Sequence, residues 1–207
     1  MKLVALKNAR LHRFVLAHLL TVVGEWAAII GVLVHAYNWG GSTAVGFVAL
    51  AVHAPTLVAA PLAANLTGRH SAQRVRLAGF AVQTVAFTSA AVLATSGAPA
   101  PAVATLVVIG LGAINTLRPS GAVLLPAIAH STEELVRGNL RVSHCDSVSG
   151  LLGPLVAAAL AGLGGSTVVF AACAGASAVA FLATIWKPSP LALAHPAGQA
   201  AAPRRAI

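Results

Sequence analysis

Residues Phe14 to Tyr37 read FVLAHLLTVVGEWAAIIGVLVHAY, a run of about 24 residues with no Lys, Arg or Asp and with Glu25 as its one carboxylate. A helix needs about 20 apolar residues to cross roughly 30 Å of hydrocarbon, so this run is long enough to span a bilayer. Lys2, Lys7, Arg10 and Arg13 precede it, as they would in a secretion signal. The apolar region of a cleavable signal is only about 7 to 15 residues, so a retained first span is expected. Five more apolar stretches follow: Thr43 to Leu66, Val75 to Thr95, Ala102 to Ile128, Leu140 to Leu163 and Ser166 to Trp186. Gly, Pro, Asn or charge separates them. The fifth opens on polar turns, Arg141 to Ser147, and only Leu151 to Leu163 is fully apolar, which leaves five spans as the alternative count.

Composition agrees with a membrane solvent. Of 207 residues 58% are hydrophobic and 8% charged, against roughly 25% charged in soluble domains. An ordinary water-soluble globule is excluded, and six spans leave no room for a sizeable soluble catalytic domain. The expected fold is an all-α membrane protein of six transmembrane helices. A basic segment 1–13 would precede the transmembrane domain 14–186, and a flexible Pro/Ala-rich tail would occupy 187–207.

The turns divide by charge. Asn38 to Ser42, Ser96 to Pro101 and Gly164-Gly165 hold no Lys or Arg. The opposite ends hold Lys2, Lys7, Arg10 and Arg13, then Arg69, Arg74 and Arg76, then Arg137 and Arg141, then Lys187, Arg204 and Arg205. By the positive-inside rule both termini are cytoplasmic, which an odd number of spans would not allow. The formal charge of +9 is then topological, and nucleic acid is not an expected partner.

Ionisable residues inside spans are costly, about 2.5 to 3.5 kcal/mol on insertion scales, and so tend to face protein or water. Glu25 lies near the middle of the first span on one helical stripe with His18 and Thr21. It is either a proton or cation site or a hydrogen-bonding partner for a neighbouring helix. Arg118 follows Asn115 and directly precedes Pro119, whose ring favours a kink. Asp146 lies about two turns into the fifth span, at a depth similar to Arg118, so an inner-side ion pair of Arg118 with Asp146, near Asn115, is expected. Its role would be structural or gating rather than substrate binding. His35 and His53 lie within spans and are either proton relays or packing residues.

Other chemistry is not expected. His144-Cys145-Asp146 diverge by about 100° per residue on a helix and cannot converge on one metal. Cys145 and Cys173 form no C-x-x-C pair. Gly110-Leu111-Gly112 lacks the third glycine of a dinucleotide loop, and there is no phosphate-binding G-x-x-x-x-G-K-[ST]. No nucleophile and base pair suggests an enzyme, and no cofactor or metal is implied. Ser149-Gly150-Leu151-Leu152-Gly153-Pro154 places small residues beside a proline, which suits a close but bendable helix contact, with Gly150, Gly153 and Pro154 as its members.

The segment Ala64-Asn65-Leu66-Thr67-Gly68-Arg69-His70-Ser71-Ala72-Gln73-Arg74-Val75 resembles the cytoplasmic G-x-L-A-D-R-x-G-R-R loop of the major facilitator superfamily. Gly150 to Pro154 is similar to the G-x-x-x-G-P element of its antiporters. Gly24-Glu25-Trp26, Ala36-Tyr37 with Gly40-Gly41, Ala44-Val45-Gly46, Arg118-Pro119, Leu124-Leu125-Pro126 and Glu133-Glu134-Leu135 resemble a bacterial efflux-type subgroup. Some longer members of that subgroup carry a cyclic-nucleotide-binding domain. These matches run from about Leu11 to Trp186. The chain departs from the loop pattern at Gly68, where the family has aspartate, and at Ala72 and Gln73, where it has basic residues.

The resemblance implies the N-terminal six-helix half of a transporter in the bacterial cytoplasmic membrane, moving a small, apolar or cationic solute outward against a proton gradient. Glu25 with His18 and Thr21 would hold the proton or substrate, and Gly68, Arg69 and Arg74 would form the gate loop. The expected partners are the lipid bilayer, the solute, and a second six-helix half or a second copy in a homodimer. The competing expectation is a truncated or degenerate membrane domain without transport, acting as an interaction or anchoring module, which Gly68 favours.

Overall fold

The structure, a computed structural model, describes residues 8–185. Residues 1–7 of the basic N-terminal segment and the whole tail 187–207 lie outside the described residues. The described chain is all helix: α1 (Ala9–Arg69), α2 (Ala72–Thr95), α3 (Ala100–Ile128) and α4 (Thr132–Ile185). All four are long and apolar enough to cross a membrane.

Two of the helices are too long to be straight. A continuous helix of the 61 residues of α1 would extend about 90 Å, three times the hydrocarbon thickness. The helix breaks instead at Gly40 (φ −147°, ψ 21°) and Gly41 (φ 64°, ψ −154°). The second of these backbone conformations is essentially restricted to glycine. Gly164 (φ −172°, ψ 32°) and Gly165 (φ 67°, ψ −163°) break α4 in the same way. Each helix therefore has two limbs, 9–39 and 42–69 in α1, 132–163 and 166–185 in α4.

Side-chain contacts show that the limbs fold back. The Arg76 guanidinium, just beyond the end of α1, lies 4.5 Å from the centre of the Phe14 ring near its start. Ala180 packs with Ala17, Phe80 and Leu117, while Glu134 at the other end of α4 is bonded to Asn8. At the opposite end, His35 Nδ1 is 3.1 Å from Ser166 Oγ, and Trp39, Ala44 and Val48 line a groove with Ala100 and Ala104. The glycine pairs and the 96–99 turn thus share one end of the bundle, and Asn8, His70 and His130 share the other. Where the sequence suggests open loops at 38–42 and 164–165, helix runs up to the glycine pairs on both sides. The polar turns Arg141 to Ser147 are helical too, since α4 begins at Thr132.

The core is built from small residues and a few rings. Phe80, Phe87 and Phe170 are fully buried among alanine and valine, whereas Phe47, Leu50, Leu151 and Leu163 are strongly exposed. Large apolar groups outside and small ones inside is the distribution expected when lipid is the solvent. α1 packs against both α3 and α4, and α2 against the same two helices, while α3 and α4 barely touch. Glycines mark the closest approaches: a Cβ on Gly110 would lie 2.7 Å from the Phe87 ring, and one on Gly31 2.9 Å from Val169.

Candidate functional site

The site lies where the first limb of α1 runs between α3 and the first limb of α4. Arg118 Nη2 donates to Glu25 Oε2 at 2.8 Å, joining α3 to α1. His18 Nε2 lies 2.9 Å from Asp146 Oδ1, joining α1 to α4. The ring nitrogen donates there, because a carboxylate only accepts. His18 and Glu25 are seven residues apart on one helix, about 10 Å along its axis, so the two pairs form a charged strip rather than one cluster.

This pairing corrects the one expected from sequence. Arg118 does not pair with Asp146, because their helices scarcely touch and α1 stands between them; each reaches α1 instead. Asn115 joins neither pair and donates to the Leu111 carbonyl of its own helix at 3.3 Å. The Thr21 hydroxyl likewise donates to the Ala17 carbonyl at 2.7 Å and is buried. Of the stripe His18, Thr21 and Glu25, two members therefore bridge helices and one does not.

The two pairs are open on one side. The side chains of Glu25 and His18 are 18% and 13% exposed, but those of Arg118 and Asp146 are 54% and 48% exposed. The charged ends thus reach the surface of a bundle whose other exposed residues are mostly apolar, with Leu16 and Trp26 on α1 and Val148, Leu151 and Leu155 on α4 among them.

Beneath the strip lies Arg76, which the sequence groups with Arg69 and Arg74 among the cations at the cytoplasmic helix ends. Arg76 is only 3% exposed, its guanidinium held 4.5 Å from the Phe14 ring and 5.2 Å from the Phe80 ring. Such stacking is favourable by about 2 kcal/mol or more when desolvated. Gly121 leaves it room, since a Cβ there would be 3.3 Å from Arg76 Nη1. Helical phase was the available signal: Arg76 shares a stripe with Ala72, Phe80, Gln83 and Phe87, all buried.

The small residues Gly150, Gly153 and Pro154 of α4 do not share one surrounding. Gly153 meets α1, where an added Cβ would overlap the Trp26 Cβ and lie 3.0 Å from the Val23 carbonyl. Its companions at helical spacing are Ser149 and Ala157, both buried. Gly150 has nothing within 4 Å of such a Cβ and is exposed, and Pro154 is half-buried. The contact stripe is therefore 149, 153 and 157, and Gly150 lies outside it.

At the end of the bundle holding the termini of α1, the gate segment is very short. Arg69 is the last residue of α1, the His70 N–H bonds the Leu66 carbonyl at 2.8 Å, and α2 begins after Ser71. Gly68 has its backbone in the last turn of α1, and its surroundings lie outside the described residues. Arg69 and Arg74 are exposed and form no ion pair with a carboxylate among the described residues.

The same end carries a clasp that sequence reading overlooked. Buried Asn8 caps α1 by accepting from the N–H groups of Arg10 (3.1 Å) and Leu11 (3.3 Å). Its amide nitrogen reaches the Ile128 carbonyl at 2.9 Å, His130 Nδ1 at 3.0 Å and Glu134 Oε2 at 3.2 Å. The His130 N–H also donates to Glu134 at 2.9 Å. That bond first, then the one from Asn8, holds the Glu134 carboxyl below the usual carboxylate range.

A comparison with known families decides the broader assignment: the family model described as Major Facilitator Superfamily matches residues 14–206. The chain belongs to the major facilitator superfamily. The comparisons with curated proteins and with solved structures gave no match. As a major facilitator chain it is a multi-pass membrane protein with a transporter domain, which agrees with four apolar helices and no strand among the described residues.

Proposed function

We propose that this major facilitator chain is a proton-coupled secondary transporter of the bacterial efflux-type subgroup. It would move a small apolar or cationic solute outward across the cytoplasmic membrane. Its helix limbs would cross the bilayer six times with both termini in the cytoplasm. The observation that carries the reading is the charged strip, in which Glu25–Arg118 and His18–Asp146 tie α1 to two helices that barely touch each other.

Half-exposed Arg118 and Asp146 would each cost about 2.5 to 3.5 kcal/mol against lipid. The strip therefore faces a water-lined path, with a second six-helix unit on its far side, whether a separate half or another copy. Protons or a cationic solute would compete for the carboxylates of Glu25 and Asp146. Release of either bridge frees α1 to shift against α3 or α4, while the tight Gly153 contact acts as pivot and Arg69 and Arg74 close the cytoplasmic end. Changes in the pairing of a few charges would thus couple binding to rearrangement.

The test is reconstitution into vesicles with an imposed proton gradient and a panel of cationic dyes. Gradient-driven dye movement is expected, with Glu25→Gln slowing it, as for an ionisable residue that acts inside the membrane. Movement unchanged by Glu25→Gln would overturn the proton-site assignment. The second reading, a membrane module without transport, is favoured by Gly68 in the gate segment, where Arg69 and Arg74 find no carboxylate partner among the described residues.

A further inference from the structure

The second limb of α1 meets α2 only sparsely, because α2 packs against α3 and α4 instead. A groove of about 560 Å³ opens between them, within the range of roughly 300–1,000 Å³ seen for small-molecule sites. Leu66, His70 and Arg74 line its mouth, and Val82, Ile109 and Ala113 are among the residues lining its body. Arg74 and Val82 are eight residues apart on α2, so the groove runs about 12 Å from a cationic end into an apolar one. Arg69, next to His70 in sequence, adds a second exposed guanidinium.

The charge at that mouth is not balanced from within. The chain has four acidic side chains, and each pairs elsewhere: Glu25 with Arg118, Asp146 with His18, Glu133 with Arg137 and Glu134 with His130. An apolar slot on the flank of a membrane bundle, with cations at the level where helices end, has the shape and polarity of a phospholipid with a negative headgroup. We propose that this groove binds one anionic phospholipid, a fatty chain lying against Val82 and Ile109 and the phosphate at Arg74 and His70. The proposal rests on the membrane setting of the bundle and not on transport.

A second groove, about 420 Å³ and at the opposite end, gives an internal comparison. Trp39, Phe47, Val48 and Ala51 line it together with residues of α3, and among the described residues no lining side chain is ionisable. It offers the same apolar environment with nothing to select a headgroup.

Native mass spectrometry of detergent-purified protein, given phosphatidylglycerol or phosphatidylcholine of identical chains, tests the site. The wild type is expected to retain phosphatidylglycerol at least about fivefold better, the ratio one guanidinium near an anionic headgroup provides. Arg69→Gln/His70→Gln/Arg74→Gln should erase that preference, and Ala78→Trp, which fills the groove, should reduce retention of both lipids. Ala51→Trp, in the uncharged groove, should leave the preference intact. Helix content and elution volume of each variant establish that it is folded. Equal retention of the two lipids by the wild type would overturn the proposal. So would a preference that survives that triple substitution, or one that Ala51→Trp abolishes. Wild-type protein that prefers phosphatidylglycerol but moves no dye would count against the proposed function and leave this site standing.

Discussion

Gly153→Ala puts the smallest possible side chain into the α1–α4 crossing. Its Cβ would overlap the Trp26 Cβ and lie 3.0 Å from the Val23 carbonyl and 3.3 Å from the Ala27 nitrogen. Unstrained heavy-atom contacts lie near 3.5–4.0 Å, so the two limbs must separate by at least about 0.5 Å. None of the opposing atoms is the free end of a flexible chain, so the strain cannot be relieved by a rotamer change. Overpacking of this kind costs about 1–3 kcal/mol. Replacing glycine by alanine in a helix also brings back about 1 kcal/mol of propensity, which would mask part of the loss.

Gly150→Ala removes that ambiguity, because the same propensity gain applies and nothing lies within 4 Å of the new Cβ. The difference between the two variants isolates the steric cost. At about 2–4 °C per kcal/mol for a chain of this size, Gly153→Ala should melt about 2–12 °C below Gly150→Ala. Tryptophan fluorescence of the purified protein on heating reads this directly, since Trp26 sits at the crossing. Equal melting temperatures would refute the close contact between α1 and α4. The His18–Asp146 bridge, about two turns away on both helices, would then also lose the geometry that brings it together.

Further outcomes follow from the charged strip and the clasp. Glu25→Gln and Arg118→Gln made singly and together should be non-additive in melting experiments, with coupling of about 0.5–1 kcal/mol, modest because Arg118 is 54% exposed; strict additivity would mean that the bridge does not form. Asn8→Ala removes the cap of α1 and its bonds to the α3–α4 turn, and should cost about 1 kcal/mol, seen as a melting temperature lowered by a few degrees. The Glu134 carboxyl titrates below its ordinary value of about 4.3. Its stabilising effect is therefore complete above about pH 4.3 and is lost as pH falls through the lower folded-state value. Glu134→Gln should flatten that acid limb in melting curves recorded against pH, and an unchanged limb would count against the clasp.

Much of the fold was legible because lipid imposes simple rules on sequence. Gly40-Gly41 and Gly164-Gly165 stood out as breaks in apolar runs, and the structure turns at both, using a backbone conformation that glycine supplies at Gly41 and Gly165. The polar start of α4 was harder to read, since Arg141 to Ser147 weakens the apolar signal although the helix is continuous from Thr132. For the site, helical periodicity put His18 and Glu25 on one stripe, and both form bridges. Their partners were not legible. Depth along the chain ranks Arg118 and Asp146 as equals, but only the arrangement of helices around α1 decides who faces whom. Arg76 was misplaced for a different reason: proximity in sequence to Arg69 and Arg74 groups it with the loop cations, whereas its position on the buried stripe of α2 takes it inside.

If Arg118 and Asp146 face a water-lined path and not lipid, position 146 must be open to water. Substituting Asp146→Cys in a background lacking Cys145 and Cys173, and comparing it with Leu182→Cys on the apolar surface, tests this in intact membranes with a water-soluble maleimide. The thiol at 146 is expected to react much faster than the thiol at 182. Equal, slow reaction at both positions would contradict it.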